Sequence, residues 1–158
     1  MKTSAGLLMY RHTGGVLQVL LAHPGGPFWR NKDDGAWTLP KGEYEAPEEA
    51  LAAARREFGE ETGFPAPGPF LPLGEVKQKS GKRVAAWAFH GDCEPGALCS
   101  NSFELEWPPK SGKRQSFPEI DRVQWFTLAE ARSKIHLAQR DLLDRLEAAL
   151  ASADPAHG

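Results

Sequence analysis

Cysteine is scarce in this chain: only Cys93 and Cys99 occur among 158 residues, both in a segment that reads as a loop and in no metal-ligand spacing. A disulfide framework is therefore not expected. Nowhere do about 18 apolar residues run together, so no transmembrane helix is expected. The N-terminus, Met1-Lys2-Thr3-Ser4 followed by a short apolar stretch, has no signal-peptide core, and a cytoplasmic protein is the expectation. An excess of one charge is also missing. With 19 basic and 21 acidic side chains the net charge is −2, too little to recruit DNA, RNA or an anionic membrane through a global field. Any anionic ligand must be caught locally. The five histidines, at 12, 23, 90, 136 and 157, show no ligand or triad spacing and are expected at the surface. Without a paired histidine, neither cysteine suggests covalent catalysis.

What is present suits one globular domain: 41% hydrophobic and 25% charged residues, enough to bury a core. We expect that domain over residues 1–152 and a short flexible tail over 153–158. Apolar runs at 5–10 and 16–22, separated by Arg11-His12-Thr13-Gly14-Gly15, predict a hairpin. Ala36-Trp37-Thr38-Leu39 reads as a brief strand stopped by Pro40. The clearest helix spans 47–62, with Pro47, Glu48 and Glu49 in its first turn and Gly63 at its C-cap. Strands are predicted at 69–77, 83–90, 103–107 and 123–126, and loops at 91–101 and 108–118. Thr127 would cap a short helix to Lys134, and a last helix over 137–151 would bury Leu137, Leu142, Leu143, Leu146 and Leu150. Trp37 and Trp125 are assigned to the core. Strands and helices without a regular alternation predict a mixed α/β layer fold.

The 47–62 helix carries the chemistry. Successive helical residues turn by about 100°, so Glu60 and Glu61 lie at about −60° and +40° from Glu57. Leu51, Ala54 and Phe58 fall between about 60° and 140° and form a separate packing stripe. Three carboxylates on one face repel each other unless a cation compensates, and oxygen-only donors suit Mg²⁺, Mn²⁺ or Ca²⁺. Alone, such a face would be read as solvated surface.

The wider pattern changes that reading. Gly42, then five residues, Glu48, then seven, Arg56-Glu57-Phe58, one residue, Glu60-Glu61, one residue and Gly63-Phe64 match the box of the Nudix hydrolases. Chance would produce such a match in a chain of this length on the order of one time in ten million. The chain resembles that family before the box as well, at Trp37-Thr38-Leu39-Pro40-Lys41-Gly42, and again at 119–125. The resemblance implies an α/β/α sandwich with a mixed β-sheet and hydrolysis of a diphosphate linkage with Mg²⁺, for which Mn²⁺ would substitute. It implies that Glu57, Glu60 and Glu61 ligate metal together with the Gly42 carbonyl, and that Arg56 orients the acids. An ordinary i,i+4 pair between Arg56 and Glu60 is compatible with that role. Glu48, on the far side of the wheel, would stabilise the loop and first turn. Glu119 stands six residues before Trp125, where some family members carry a glutamate that reaches the metal site as a second-metal ligand or proton acceptor. Its alternative is a loop acid paired with Arg122.

Pro40-Lys41-Gly42 resembles the dinucleoside polyphosphate hydrolase-like branch, which makes Lys41 a substrate-binding candidate. Lys77, Lys79, Lys82 and Arg83 cluster round a predicted hairpin, where Lys79 and Arg83 would grip phosphates. Trp29 and Trp107 would contact a base, since an aromatic stacks on one for about 1–3 kcal/mol. Two features depart from known branches. No tyrosine follows Tyr44, although those hydrolases commonly carry one after the box, and residues 73–107 hold only Pro95, against the pattern of ADP-ribose enzymes. The expected substrate is a small nucleotide, foremost a dinucleoside polyphosphate such as diadenosine tetraphosphate. The alternatives are a nucleoside-triphosphate pyrophosphatase that removes oxidised nucleotides, and a non-catalytic nucleotide-sensing module. Such sensors tend to lose box carboxylates, and all are present here. The assembly is expected to be a monomer or homodimer.

Overall fold

Alternating apolar residues on two central strands build the molecule, which a computed structural model describes over residues 3–153. Strand β1 (Thr3–Thr13) turns through Gly14-Gly15 into β2 (Val16–Pro24), with Thr13 opposite Val16 and Tyr10 opposite Val19. Side chains alternate across a strand, so Leu7, Met9 and Leu20 enter one core while Leu8, Val19 and Leu21 enter another. Strand β3 (Lys41–Tyr44) pairs antiparallel with the start of β1, Gly42 facing Ala5. On the other edge of β1 lies β5 (Arg83–His90), parallel to it, then antiparallel β4 (Leu71–Lys77). With β8 (Ile120–Thr127) beside β2, these strands form a mixed six-stranded sheet. A separate hairpin joins β6 (Ser102–Glu106) to β7 (Arg114–Pro118).

One face of the sheet is covered by α1 (Ala50–Thr62), through Ala53, Ala54 and Phe58. Burying a phenylalanine is worth about 1.5–3 kcal/mol, and Phe58 also meets Phe89 edge-on at 5.3 Å. Like charges at i,i+4 cost only about 0.2–0.5 kcal/mol per pair, so the apolar face holds this acidic helix in place. The other face is covered by α2 (Leu128–Lys134) and α3 (Arg140–Ala153), through Ala131, Leu142, Leu143 and Leu146. Arg145 donates to the Leu73 and Glu75 carbonyls, tying α3 to β4. The result is the expected α/β/α sandwich around a mixed sheet.

Several local expectations need correction. Helix α1 begins at Ala50, so Pro47, Glu48 and Glu49 precede its first turn; Glu49 is the N-cap residue but makes no capping bond. At the other end Gly63 closes the helix as expected, its N–H returning to the Gly59 carbonyl. Residues 36–39 make only isolated bridges, Thr38 to Ala22 and Trp37 to Ile135, and the strand starts after them at Lys41. Within the expected loop 108–118, Arg114–Pro118 is extended because it pairs with β6. Thr127 caps α2 in a full capping box with Glu130, as expected. Leu137 is 64% exposed rather than part of the α3 stripe, because Leu137–Gln139 forms a separate 3₁₀ turn. Trp37 is buried, whereas Trp125 is only half-buried, beneath the Arg11 guanidinium. His23 is wholly buried, against the surface expectation. Residues 154–158, most of the expected tail, and with them His157, lie outside the described residues.

Candidate active site

The link from β3 to α1 brings backbone and acid into contact. A Cβ at Gly42 would lie 2.0 Å from Glu57 Cδ and 2.1 Å from its Oε2, so only glycine lets the Glu57 carboxylate rest on the strand. Arg56 organises the acids around it. Its Nε and Nη2 donate to the two oxygens of Glu48 at 2.8 and 2.9 Å, and its Nη1 donates to Glu57 Oε1 at 2.9 Å and more loosely to Glu60 at 3.3 Å. This two-pronged grip on a carboxylate is peculiar to guanidinium. It raises the Arg56 pKa, through Glu48 first, and lowers that of Glu48. Burial raises the pKa of Glu57 despite the opposing Arg56.

Glu61, one turn beyond Glu57, is directed elsewhere. Its Oε1 accepts from the Lys41 backbone N–H at 3.2 Å. Burial pushes its pKa up to about 8, with the Glu57 and Glu119 charges adding to the rise. The Lys41 ammonium is held below its usual pKa, by burial and then Lys82, although Glu61, Glu43 and Glu57 oppose the shift. Lys41, Glu61 and Glu119 line a cleft of about 340 Å³ together with Trp29, Gln78, His136 and Gln139.

Two flanking loops bring Trp29 and Glu119 there. The first is pinned near Lys32 and Asp33. His23 Nε2 lies 2.6 Å from the Lys32 carbonyl, Trp37 Nε1 donates to Asp33 at 2.8 Å, and Lys134 bonds Asp33 at 2.6 Å. The Phe28 and Trp29 rings at its tip stay exposed. In the second loop Glu119 is fixed through its backbone, its N–H donating to the Asn101 carbonyl at 2.8 Å and its carbonyl accepting from Gly25 at 2.9 Å. Arg122 lies 4.0 Å from Asp121 and stacks over Trp37, so the alternative pairing expected for Glu119 falls to Asp121.

Of the candidates read from sequence, Lys41, Glu61, Glu119 and Trp29 meet in the cleft, and Gly42 and Glu57 adjoin it through Lys41 and Glu61. Glu60 turns outward on Arg56. Lys79 lines a neighbouring cleft with Lys77, Gln78 and His136. Arg83 points to Glu75 at 3.5 Å. Trp107 packs edge-on against Phe28 at 5.4 Å, outside the cleft. Sequence reasoning missed His136 and Gln139. Burial and the nearby Lys41 lower the His136 pKa. Two polar residues three apart before a leucine-rich helix were the only signal.

Among the described residues no three His, Cys, Asp or Glu side chains close round one point, since Arg56 holds Glu57 and Glu60. The donor chemistry nevertheless fits a hard divalent cation. The acids offer oxygen alone, Gly42 sets bare backbone against the Glu57 carboxylate, and burial with the neighbouring Glu57 and Glu119 charges raises the Glu61 pKa, a shift that a bound cation would oppose.

No curated protein sequence matches this chain. Among solved structures, a C. elegans Ap4A hydrolase binary complex is similar at TM-score 0.67 and 22% identity, covering 94% of this chain and 98% of that one. The NUDIX domain of Shewanella oneidensis NrtR, complexed with ADP ribose, has TM-score 0.65 and 16% identity over 94% and 87%. A Nudix hydrolase from M. smegmatis, RenU, has TM-score 0.60 and 23% identity over 96% and 87%. The family model described as NUDIX domain matches residues 2–146, the span that carries both the box glutamates and the cleft they adjoin, and the chain therefore belongs to the Nudix family of pyrophosphohydrolases.

Proposed function

We propose that this protein hydrolyses a diphosphate linkage in a nucleoside diphosphate-linked substrate, foremost a dinucleoside polyphosphate such as diadenosine tetraphosphate. The observation that carries this reading is the cleft in which Lys41, Glu61, Glu119 and Trp29 meet. It joins a cation and acids suited to phosphate chemistry with an aromatic ring suited to a base. Likeness to an Ap4A hydrolase fold supports the choice of substrate class.

Glu57, Glu60, Glu61 and the Gly42 carbonyl would hold divalent metal, Mg²⁺ with Mn²⁺ as substitute, and Glu119 would either join them at a second metal or act as the proton acceptor. When bound, the cation supplies charge neutralisation at the diphosphate and acidifies water. Arg56 keeps Glu57 and Glu60 oriented through the hydrogen bonds it makes to both. Lys41 meets the anionic chain at the cleft wall. In the second role Glu119 takes the proton of the attacking water, with its backbone held on both sides so that the carboxylate need not be ordered at each turnover. Trp29 stacks on the base.

The test is a panel of dinucleoside polyphosphates, ADP-ribose, dNTPs and oxidised dGTP, with Mg²⁺ or Mn²⁺, assayed for phosphate-containing products. A dinucleoside tetraphosphate should show the highest kcat/KM, and Lys41→Ala should weaken that preference. An oxidised dNTP better by about tenfold or more would replace this reading.

A further inference from the structure

Of the side chains lining the cleft, Gln139 is fully buried and only half satisfied. Its Oε1 accepts from the Leu39 backbone N–H at 3.2 Å. That contact fixes the orientation of the carboxamide, because a backbone N–H must meet an acceptor. The other end, Nε2, is buried without a partner. Buried donors are rarely left so, and an amide nitrogen can be completed only by an acceptor.

The surroundings indicate what kind. Gln139 stands on the 3₁₀ turn between α2 and α3, which is pinned by His136 N–H to the Trp37 carbonyl at 2.7 Å and Gln139 N–H to the His136 carbonyl at 2.8 Å. The donor is thus held by backbone. Pro24, Ala36, Ile120 and Trp29 supply apolar wall to the same cleft. Burying an anionic phosphate against a lone neutral donor is costly, whereas an uncharged heteroatom is accommodated cheaply, and the Lys41 ammonium is available for the phosphates.

We propose that Gln139 reads the nucleobase of the substrate, donating from Nε2 to an acceptor on the base edge that carries position 6 and N1 of a purine. The inference rests on the reading of this cleft as the substrate site. Because Nε2 is covered, the bond forms with a small shift of lining side chains, as is common on binding.

The experiment compares adenine and hypoxanthine nucleotides with one and the same phosphate chain, since the two bases exchange donor and acceptor on that edge. Gln139→Glu keeps an acceptor for Leu39 and loses the amide donor; Gln139→Met keeps the volume and removes both polar atoms. The readout is the ratio of kcat/KM for the two bases, which cancels any loss of folded enzyme. Wild type should separate the bases by about tenfold or more, Gln139→Glu should shift the ratio by a similar factor, and Gln139→Met should bring it near one. A ratio unchanged within about threefold in both variants overturns the contact and leaves Nε2 to an internal water. Equilibrium binding of adenosine and inosine monophosphates is measured in parallel. A base preference in binding that Gln139→Glu shifts, without turnover by wild type, upholds the contact while the hydrolase reading falls. Turnover with an unshifted ratio does the reverse, and absence of both turnover and nucleotide binding overturns both.

Discussion

Gly42 and Glu57 touch so closely that a methyl group at position 42 would fall 2.0 Å from the Glu57 carboxyl carbon. The contact joins strand β3, just before the loop that leads to α1, to the middle of that helix. In Gly42→Ala the Glu57 carboxylate must swing away, and because it is the free end of a flexible chain the fold should lose only about 1 kcal/mol or less. Activity should fall by about tenfold or more, because an ångström of misplacement is costly at a reacting centre. Thermal melting and steady-state rates on the same preparation check both halves. An alanine variant of normal rate would show that catalysis does not depend on where Glu57 sits.

Arg56 supplies the second prediction. An ammonium cannot fork Glu48 and reach Glu57 together, so Arg56→Lys should reduce kcat by about tenfold and raise the metal concentration needed for half-maximal rate. Arg56 is 40% exposed, so the stability lost should stay below about 1 kcal/mol. A lysine variant with unchanged kcat and metal titration would make the cluster a surface ornament.

Much of this site was legible before any fold was known, for identifiable reasons. Helical geometry alone puts Glu57, Glu60 and Glu61 on one face, and the box spacing ties them to Gly42. The division of labour among the three was not legible. Arg56 takes Glu60 outward and the Lys41 N–H takes Glu61 inward, and each depends on contacts between different elements. Strand β7 was hidden because Arg114–Pro118 is mostly exposed and polar, so its pairing with β6 leaves no apolar alternation to read. His23 was read as a surface residue because nothing in its neighbourhood announces that Asp121, 98 positions away, lies 2.9 Å from its Nδ1. Gln139 was swallowed by the leucine-rich helix that follows it.

Glu61 provides a pH test on metal-free protein. Its folded pKa is raised from an ordinary 4.5 to about 8, so the folded state holds this proton more tightly than the unfolded one. The Glu61 contribution to stability in the presence of EDTA should therefore be greatest below the unfolded value, fall as pH rises through the window from 4.5 to about 8, and level off above it. Glu61→Gln should lack that slope and melt higher than wild type at the alkaline end. Melting curves for the two proteins that stay parallel across the window would contradict the buried, acid-crowded position of Glu61. With metal restored, Glu60→Gln and Glu61→Gln should each lower kcat by orders of magnitude without unfolding the chain. Full activity in excess EDTA would remove the metal requirement altogether.

The last prediction separates two acids only two residues apart. Glu119 lines the cleft, close enough for its charge to raise the pKa of Glu61, and its backbone is held by Asn101 and Gly25. Asp121 belongs to the scaffold. Its Oδ1 lies 2.9 Å from Nδ1 of His23, whose Nε2 meets the Lys32 carbonyl at 2.6 Å. Through that buried ring Asp121 steadies the loop that carries Trp29. At saturating Mg²⁺, Glu119→Gln should depress kcat by about a hundredfold, the range of one general acid–base group, with a much smaller effect on substrate affinity and a changed pH–rate profile. Asp121→Asn should leave kcat little altered, and Asp121→Ala should cost about 1–3 kcal/mol of stability by leaving a buried imidazole without its partner, again with kcat little altered. The pair is informative because a purely structural role for Glu119 would give the Asp121 pattern, lower melting with normal chemistry. If Glu119→Gln stays within about threefold of wild type between about pH 6 and 9, the proton must go to a glutamate of the box, Glu57 or Glu60, and the fixed loop at Asn101 and Gly25 serves only to close the cleft.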